Sequence, residues 1–167
     1  MNDSNPSHIK RAEVDLKKLV PQVRGVVGDE ITMMLQQHEG NIAVVWSGVA
    51  APLVQDSNKY NYVIPKEGSN LWFDNMVIPK TAQNKEGAYK FMNFLLDEKN
   101  NKQNTEWVGY ATPNKAARDK LPKEVREDHR FYPTKKEQNR LEVYKDLGQK
   151  TLSEYNESFL NFKMNLK

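Results

Sequence analysis

The sequence predicts an α/β fold, and three observations carry that prediction. Apolar residues recur at spacings of three and four in several separate stretches, the stripe of an amphipathic helix. Between them, residues 41–47 read Asn-Ile-Ala-Val-Val-Trp-Ser, a continuous apolar run rich in β-branched residues, as in a strand covered on both faces. Helices that alternate with such strands pack onto the faces of a parallel sheet. The chain has 167 residues, one domain's worth. Its 38% hydrophobic and 28% charged residues and mean hydropathy of −0.82 are polar for a globular chain, yet far from the apolar depletion of a disordered one.

Taken in order, Asn5 and Pro6 provide an N-cap and a first-turn proline. Ile9, Ala12, Leu16 and Leu19 then mark a first helix that ends before Pro21. Asp29 is expected to cap a second helix with Ile31, Met34, Leu35 and His38 on one face, and Gly40 to supply the left-handed residue that closes it. After the strand at 41–47 comes a short alanine-rich helical turn around Val49 to Val54. Two extended runs follow at 60–65 and 71–79, joined by the turn residues Pro65-Lys66-Glu67-Gly68-Ser69. Asn84 opens a third helix with Ala88, Phe91, Met92 and Leu95 on one face and Glu86 in the first turn, where the helix dipole favours an acid. The polar segment 100–104 continues or restarts helix through Trp107. Residues 109–114 form a loop, and Asn114 can cap a short helix that stops before Pro122. Residues 123–133 are charged and irregular. From about Glu137, Leu141, Tyr144, Gly148, Leu152, Tyr155, Phe159, Phe162 and Leu166 recur at helical spacing, which predicts one long C-terminal helix.

Several function classes are excluded early. Twenty-five Lys and Arg against 22 Asp and Glu leave a net charge of +3 with the signs mixed, not the clustered basic stripe of a nucleic-acid binder. Cysteine is absent, which removes disulfides, zinc knuckles and cysteine nucleophiles. His8, His38 and His129 lie far apart in the sequence, so no metal site is expected. There is no Gly-x-Ser-x-Gly elbow, no His-Glu-x-x-His and no phosphate-cradling glycine loop, so neither catalysis nor a cofactor is expected. No run approaches the roughly 18 apolar residues of a membrane helix. The first residues lack the basic patch and apolar stretch of a secretory signal.

The notable feature is a set of aromatic residues placed where elements end. Trp46 closes the apolar run, and ligands of open α/β sheets bind beyond the carboxyl ends of strands. Trp72 and Asp74 are two apart in an extended segment and share a face. An indole face beside a carboxylate suits a cation, since the ring quadrupole attracts an ammonium by about 0.5–2 kcal/mol and the carboxylate adds a charge-assisted hydrogen bond. Tyr110, following Gly109 in a loop, offers a further wall. From periodicity alone a second reading stays open, in which Trp46 and Trp107 are core and Asp74 guards an edge strand.

The segments Val45-Trp46-Ser47-Gly48, Pro65-Lys66-Glu67-Gly68, Leu71-Trp72-Phe73-Asp74 with Ile78-Pro79, Asn84-Lys85-Glu86-Gly87-Ala88 with Asn93-Phe94-Leu95-Leu96, and Gly109-Tyr110-Ala111-Thr112-Pro113-Asn114 resemble, in order and spacing, the spermidine/putrescine-binding (PotD) family of ABC importers. The resemblance runs from about Asn5 to the C-terminus. It implies a type II periplasmic-binding-protein-like fold of two α/β lobes around a cleft, of which this chain is the C-terminal part. Residues 1–72 and 119–167 would belong to the C-terminal lobe and 73–118 to the other lobe. It also implies spermidine or putrescine as ligand, membrane permease subunits as partners, and an extracytoplasmic location for the full-length protein. Matched by position, Trp46 is a cleft tryptophan, Trp72 a wall along the ligand's methylenes, Asp74 the amine-binding carboxylate and Tyr110 a further aromatic contact. Tyr144 stands where the family often has a glutamine near the start of the last helix. Separated from its upstream half, such a chain is expected to bind polyamine poorly and to self-associate. An amino-acid or sugar binder, a sensor domain or an enzyme on the same scaffold are the rival readings, and the carboxylate beside the indole argues against a neutral sugar.

Overall fold

Most of the longer helices start where a short polar side chain can take over the free N–H groups of a first turn. A computed structural model of the chain describes residues 2–56 and 58–166, Asp56 by its backbone alone. In chain order its elements are α1 (Pro6–Lys17), a 3-10 turn (Val20–Gln22), α2 (Ile31–Gln36), α3 (Ser47–Asp56), β1 (Ser69–Asn70), α4 (Lys85–Leu96), α5 (Glu98–Val108), α6 (Lys115–Asp119), α7 (Lys123–Arg126), α8 (Lys135–Gln138), β2 (Leu141–Glu142) and α9 (Gly148–Lys163). The chain divides into two units, Met1–Ala43 with Glu142–Lys167, and Val44–Leu141. No helix among the described residues is long and apolar enough to cross a membrane.

In the first unit α1 packs on α9. The Asn5 side chain accepts from the Ser7 N–H at 3.0 Å and Pro6 takes the first position, as the sequence predicts. The buried stripe of α1 differs from the expected one, because it runs through Ile9 and Glu13 while Leu16 and Leu19 stay exposed. Glu13 can be buried because Lys17 and Lys10 lie 2.8 and 3.0 Å from its carboxylate oxygens. The two ends of the unit are stitched together: the Asn2 side chain donates to the Val143 carbonyl and accepts from the Lys145 N–H, both at 2.9 Å. Helix α2 is not capped by Asp29. Glu30 holds the cap position and its carboxylate accepts the Gly28 N–H at 2.9 Å. Nor does Gly40 close it: His38 takes the left-handed conformation (φ 59°), with His38 N–H bonded to Leu35 O and Glu39 N–H to Met34 O, both 2.9 Å.

The second unit holds α3 to α8, with α5 packed on both α4 and α6. Asn84 caps α4 through the Gly87 N–H at 2.8 Å, Asp97 caps α5 through Lys99 and Asn100, and Asn114 caps α6 through Ala117. Its buried apolar residues are Ala50, Ala51 and Leu53 of α3, Ala117 of α6 and Leu121.

The expected parallel sheet does not form. Residues 41–46 are irregular, with Ile42 and Val44 fully exposed and Ala43 and Val45 half-buried, the alternation of an extended chain. A strand is completed by its neighbour's N–H and C=O groups, and among the described residues the one ladder is β1 with β2. Residues 60–65 and 71–79 likewise lie outside any ladder. The expected turn at 65–69 is present, with Gly68 N–H bonded to the Pro65 carbonyl at 3.1 Å. The long helix predicted from Glu137 is interrupted. A Thr134–Glu137 capping box builds the four-residue α8, β2 follows, and helix resumes only at Gly148, whose φ of +76° does not fit a helix interior.

Candidate ligand-binding site

The Trp46 carbonyl accepts from Val49 and Ala50 N–H at 3.0 and 3.1 Å, so α3 begins on Trp46 and fixes its backbone. Pro52 within α3 has no N–H to offer the Gly48 carbonyl. Gly109 comes up against that place: a Cβ on it would stand 3.3 Å from the Gly48 oxygen and 3.6 Å from Ala51 Cβ. Its φ of +74° also ends α5 and reverses the chain into Tyr110. The Tyr110 ring then lies directly over Gly48. Trp72, from the extended segment after β1, meets both other rings edge-to-face. Its centroid is 5.6 Å from Trp46 at 74° and 5.4 Å from Tyr110 at 76°, the geometry that ring quadrupoles favour.

The loop that bears Tyr110 is held at several points. Thr112 donates its hydroxyl to Asn101 at 2.6 Å and its N–H to the Tyr132 hydroxyl at 3.2 Å, and Asn114 donates to the Leu96 carbonyl at 2.7 Å. Tyr62 stacks on Phe131 at 5.6 Å with rings 7° apart. Burial first, and Tyr110 second, push the Tyr62 hydroxyl above its usual pKa. The Arg118 guanidinium covers the Tyr132 ring at 4.6 Å.

Three of the five expected site residues, Trp46, Trp72 and Tyr110, are thus brought together from positions far apart in sequence. Asp74 is exposed on the same extended segment, two residues beyond Trp72. Tyr144 is exposed, lies in the first unit and precedes the start of α9 by a short irregular segment. Trp46 is 54% and Trp107 89% exposed, so neither belongs to the core of this chain. Sequence reasoning did not foresee that Tyr62 would stack on Phe131 or that the Tyr110 ring would lie over Gly48. Two open depressions, lined by Lys123, Glu124, Glu127, Asp128 and Arg130 and by Glu98, Lys99, Lys102 and Lys120, carry mixed charge and include none of the three rings. Among the described residues no group of three or more His, Asp or Glu could hold a metal ion. What the cluster offers is aromatic surface partly open to solvent, suited to aliphatic or cationic groups.

Superposition on solved structures gives the fold as that of the periplasmic solute-binding proteins. A structure described as a putative spermidine/putrescine ABC transporter from Listeria monocytogenes superposes with a TM-score of 0.91 at 53% identity, over 98% of this chain and 50% of that one. The substrate-binding protein PotD of a Streptococcus pneumoniae spermidine/putrescine ABC transporter superposes with a TM-score of 0.85 at 42% identity, over 99% of this chain and 51% of that one. The chain belongs to the bacterial extracellular solute-binding protein family, whose model matches residues 1–133. It is 39% identical over 147 residues to the spermidine/putrescine-binding periplasmic protein of Salmonella typhimurium, covering 88% of this chain and 42% of that protein. The chain therefore spans about half the length of the proteins it matches.

Proposed function

We propose that this chain is the C-terminal part of an extracytoplasmic polyamine-binding protein that delivers spermidine or putrescine to the permease of an ABC importer. The observation that carries this reading is the Trp46–Trp72–Tyr110 cluster, with a carboxylate two residues beyond its central ring, in a chain similar to proteins named for those two ligands. Trp72 lines the methylenes of the bound polyamine and supplies the apolar contribution. Asp74 takes an ammonium end, and Trp46 and Tyr110 close the walls. Tyr144 contributes near one end of the ligand. The two lobes of the intact type II fold divide this chain at residues 72/73 and 118/119, with 73–118 belonging to the lobe whose remaining elements lie outside it. The absence of any buried residue on α4, whose apolar positions include Phe91, Met92 and Leu95, supports that division.

The test is calorimetric titration of the whole binding protein with spermidine, putrescine, an amino acid and a sugar, alongside Asp74→Asn. Polyamine binding weakened at least tenfold by Asp74→Asn is expected, since truncating one partner of a ligand-paired charge typically costs about 2–5 kcal/mol. Binding of the amino acid or sugar alone would sink the polyamine reading. Unchanged affinity in Asp74→Asn would sink the role of Asp74.

A further inference from the structure

Gly48 sits in the first turn of α3, where an alanine would favour the helix more. Its backbone gives no reason for glycine, because the left-handed glycines of the chain are Gly68, Gly109 and Gly148. What requires it is space. A Cβ at position 48 would overlap three atoms of the Tyr110 ring, Cε2, Cδ2 and Cζ. The loop behind that ring is fixed by Asn101, Tyr132 and the Leu96 carbonyl, and Gly109 is already against the Gly48 oxygen, so the backbone has little room to yield. The ring itself is the part that can swing. Swinging takes it out of its 5.4 Å edge-to-face contact with Trp72, and a gap of about 0.5–1 Å already forfeits roughly a quarter to a half of the contact attraction.

We infer that Gly48 is a positioning residue for the ligand site: its missing side chain seats Tyr110 against Trp72 and thereby fixes the aromatic surface that the two rings together present to an aliphatic cation. The inference rests on the polyamine reading for its ligand, though not for its geometry. Gly48 touches no ligand in this scheme. It acts through Tyr110 alone, which sets it apart from a glycine kept for helix packing.

The experiment is a double-mutant cycle in the whole binding protein, comparing wild type, Gly48→Ala, Tyr110→Ala and the double variant. Spermidine is titrated by calorimetry, and near-ultraviolet circular dichroism reads the coupling of the aromatic rings. Gly48→Ala is expected to weaken spermidine binding about five- to thirtyfold, the upper part of the range one aromatic wall supplies, and to alter the aromatic dichroism. In the Tyr110→Ala background the same substitution should change affinity less than twofold, because the ring it displaces is gone. Equal losses in both backgrounds, or no loss in either, would overturn the inference. Should Gly48→Ala fail to fold, recovery of folding in the double variant supports the inference and its absence overturns it. If wild type binds no spermidine the polyamine reading fails separately, and unaltered aromatic dichroism in Gly48→Ala would then still refute the positioning role.

Discussion

Glu13 is 2% exposed on the α9-facing side of α1, and removal from water by itself would favour its neutral form. Hydrogen bonds from Lys17, then Lys10, outweigh that burial, with Ser158 of α9 adding to them, and hold the carboxyl down to about 2 from its ordinary 4.5. The folded state therefore binds this proton less readily than the unfolded chain does. Its stabilising contribution is complete above about 4.5 and drains away as the pH falls through that value toward about 2. Thermal denaturation of the chain between pH 6 and pH 2.5 is expected to show a melting temperature that drops across this window, and Glu13→Gln should flatten the drop. An equally steep fall in Glu13→Gln would assign the acid sensitivity to other groups. Periodicity did not reveal Glu13, because a search for apolar stripes passes over a carboxylate that is buried with its counter-charges. The same search could not join Trp46 to Trp72 and Tyr110, since nothing local links residues so distant. Their shared placement where elements end marked them as a set, and the family resemblance assigned that set to one cleft.

At the scale of elements, Gly68 decides whether β1 can lie beside β2. It adopts φ +110°, and a Cβ there would overlap the Arg140 carbonyl oxygen. Unlike the ring above Gly48, that obstacle is backbone and cannot rotate aside. Gly68→Ala is expected to destabilise the chain by about 1–3 kcal/mol, the usual cost of a strained backbone position, measured by urea denaturation. A loss below a few tenths would mean that the turn at 65–68 relaxes freely. Helices were the legible elements, because Asn5, Asn84 and Asn114 announce their own first turns and a helix bonds within itself. Strands were not. The run at 42–46 has the composition and the alternating exposure of a strand, but the groups that would complete it are on a different stretch of backbone. The C-terminal helix was overextended because apolar residues at helical spacing continue through 141–144, where β2 and its irregular sequel intervene.

For the molecule as a whole, the chain spans about half of each protein it matches, and large apolar side chains stand exposed: Ile42 and Val44 of the unpaired run, Tyr89, Phe91 and Phe94 of α4, and Trp107 of α5. Apolar surface of this kind marks an interaction face or an aggregation liability, and unpaired extended backbone invites pairing with a second copy. Sedimentation velocity of the isolated chain is expected to show concentration-dependent self-association that millimolar spermidine does not reverse. A clean monomer that binds spermidine at micromolar concentration would show instead that this chain is a binding domain in its own right. The pairing of α1 with α9 bears also on the order of events in folding. These helices are near opposite ends of the sequence, and everything from Val44 to Leu141 lies in the loop between them. Closing so long a loop is entropically slow unless the intervening chain has already become compact. During synthesis α1 emerges before α9 and lacks that partner until α9 has been made, so Glu13 waits through the making of the whole intervening stretch for the helix that buries it.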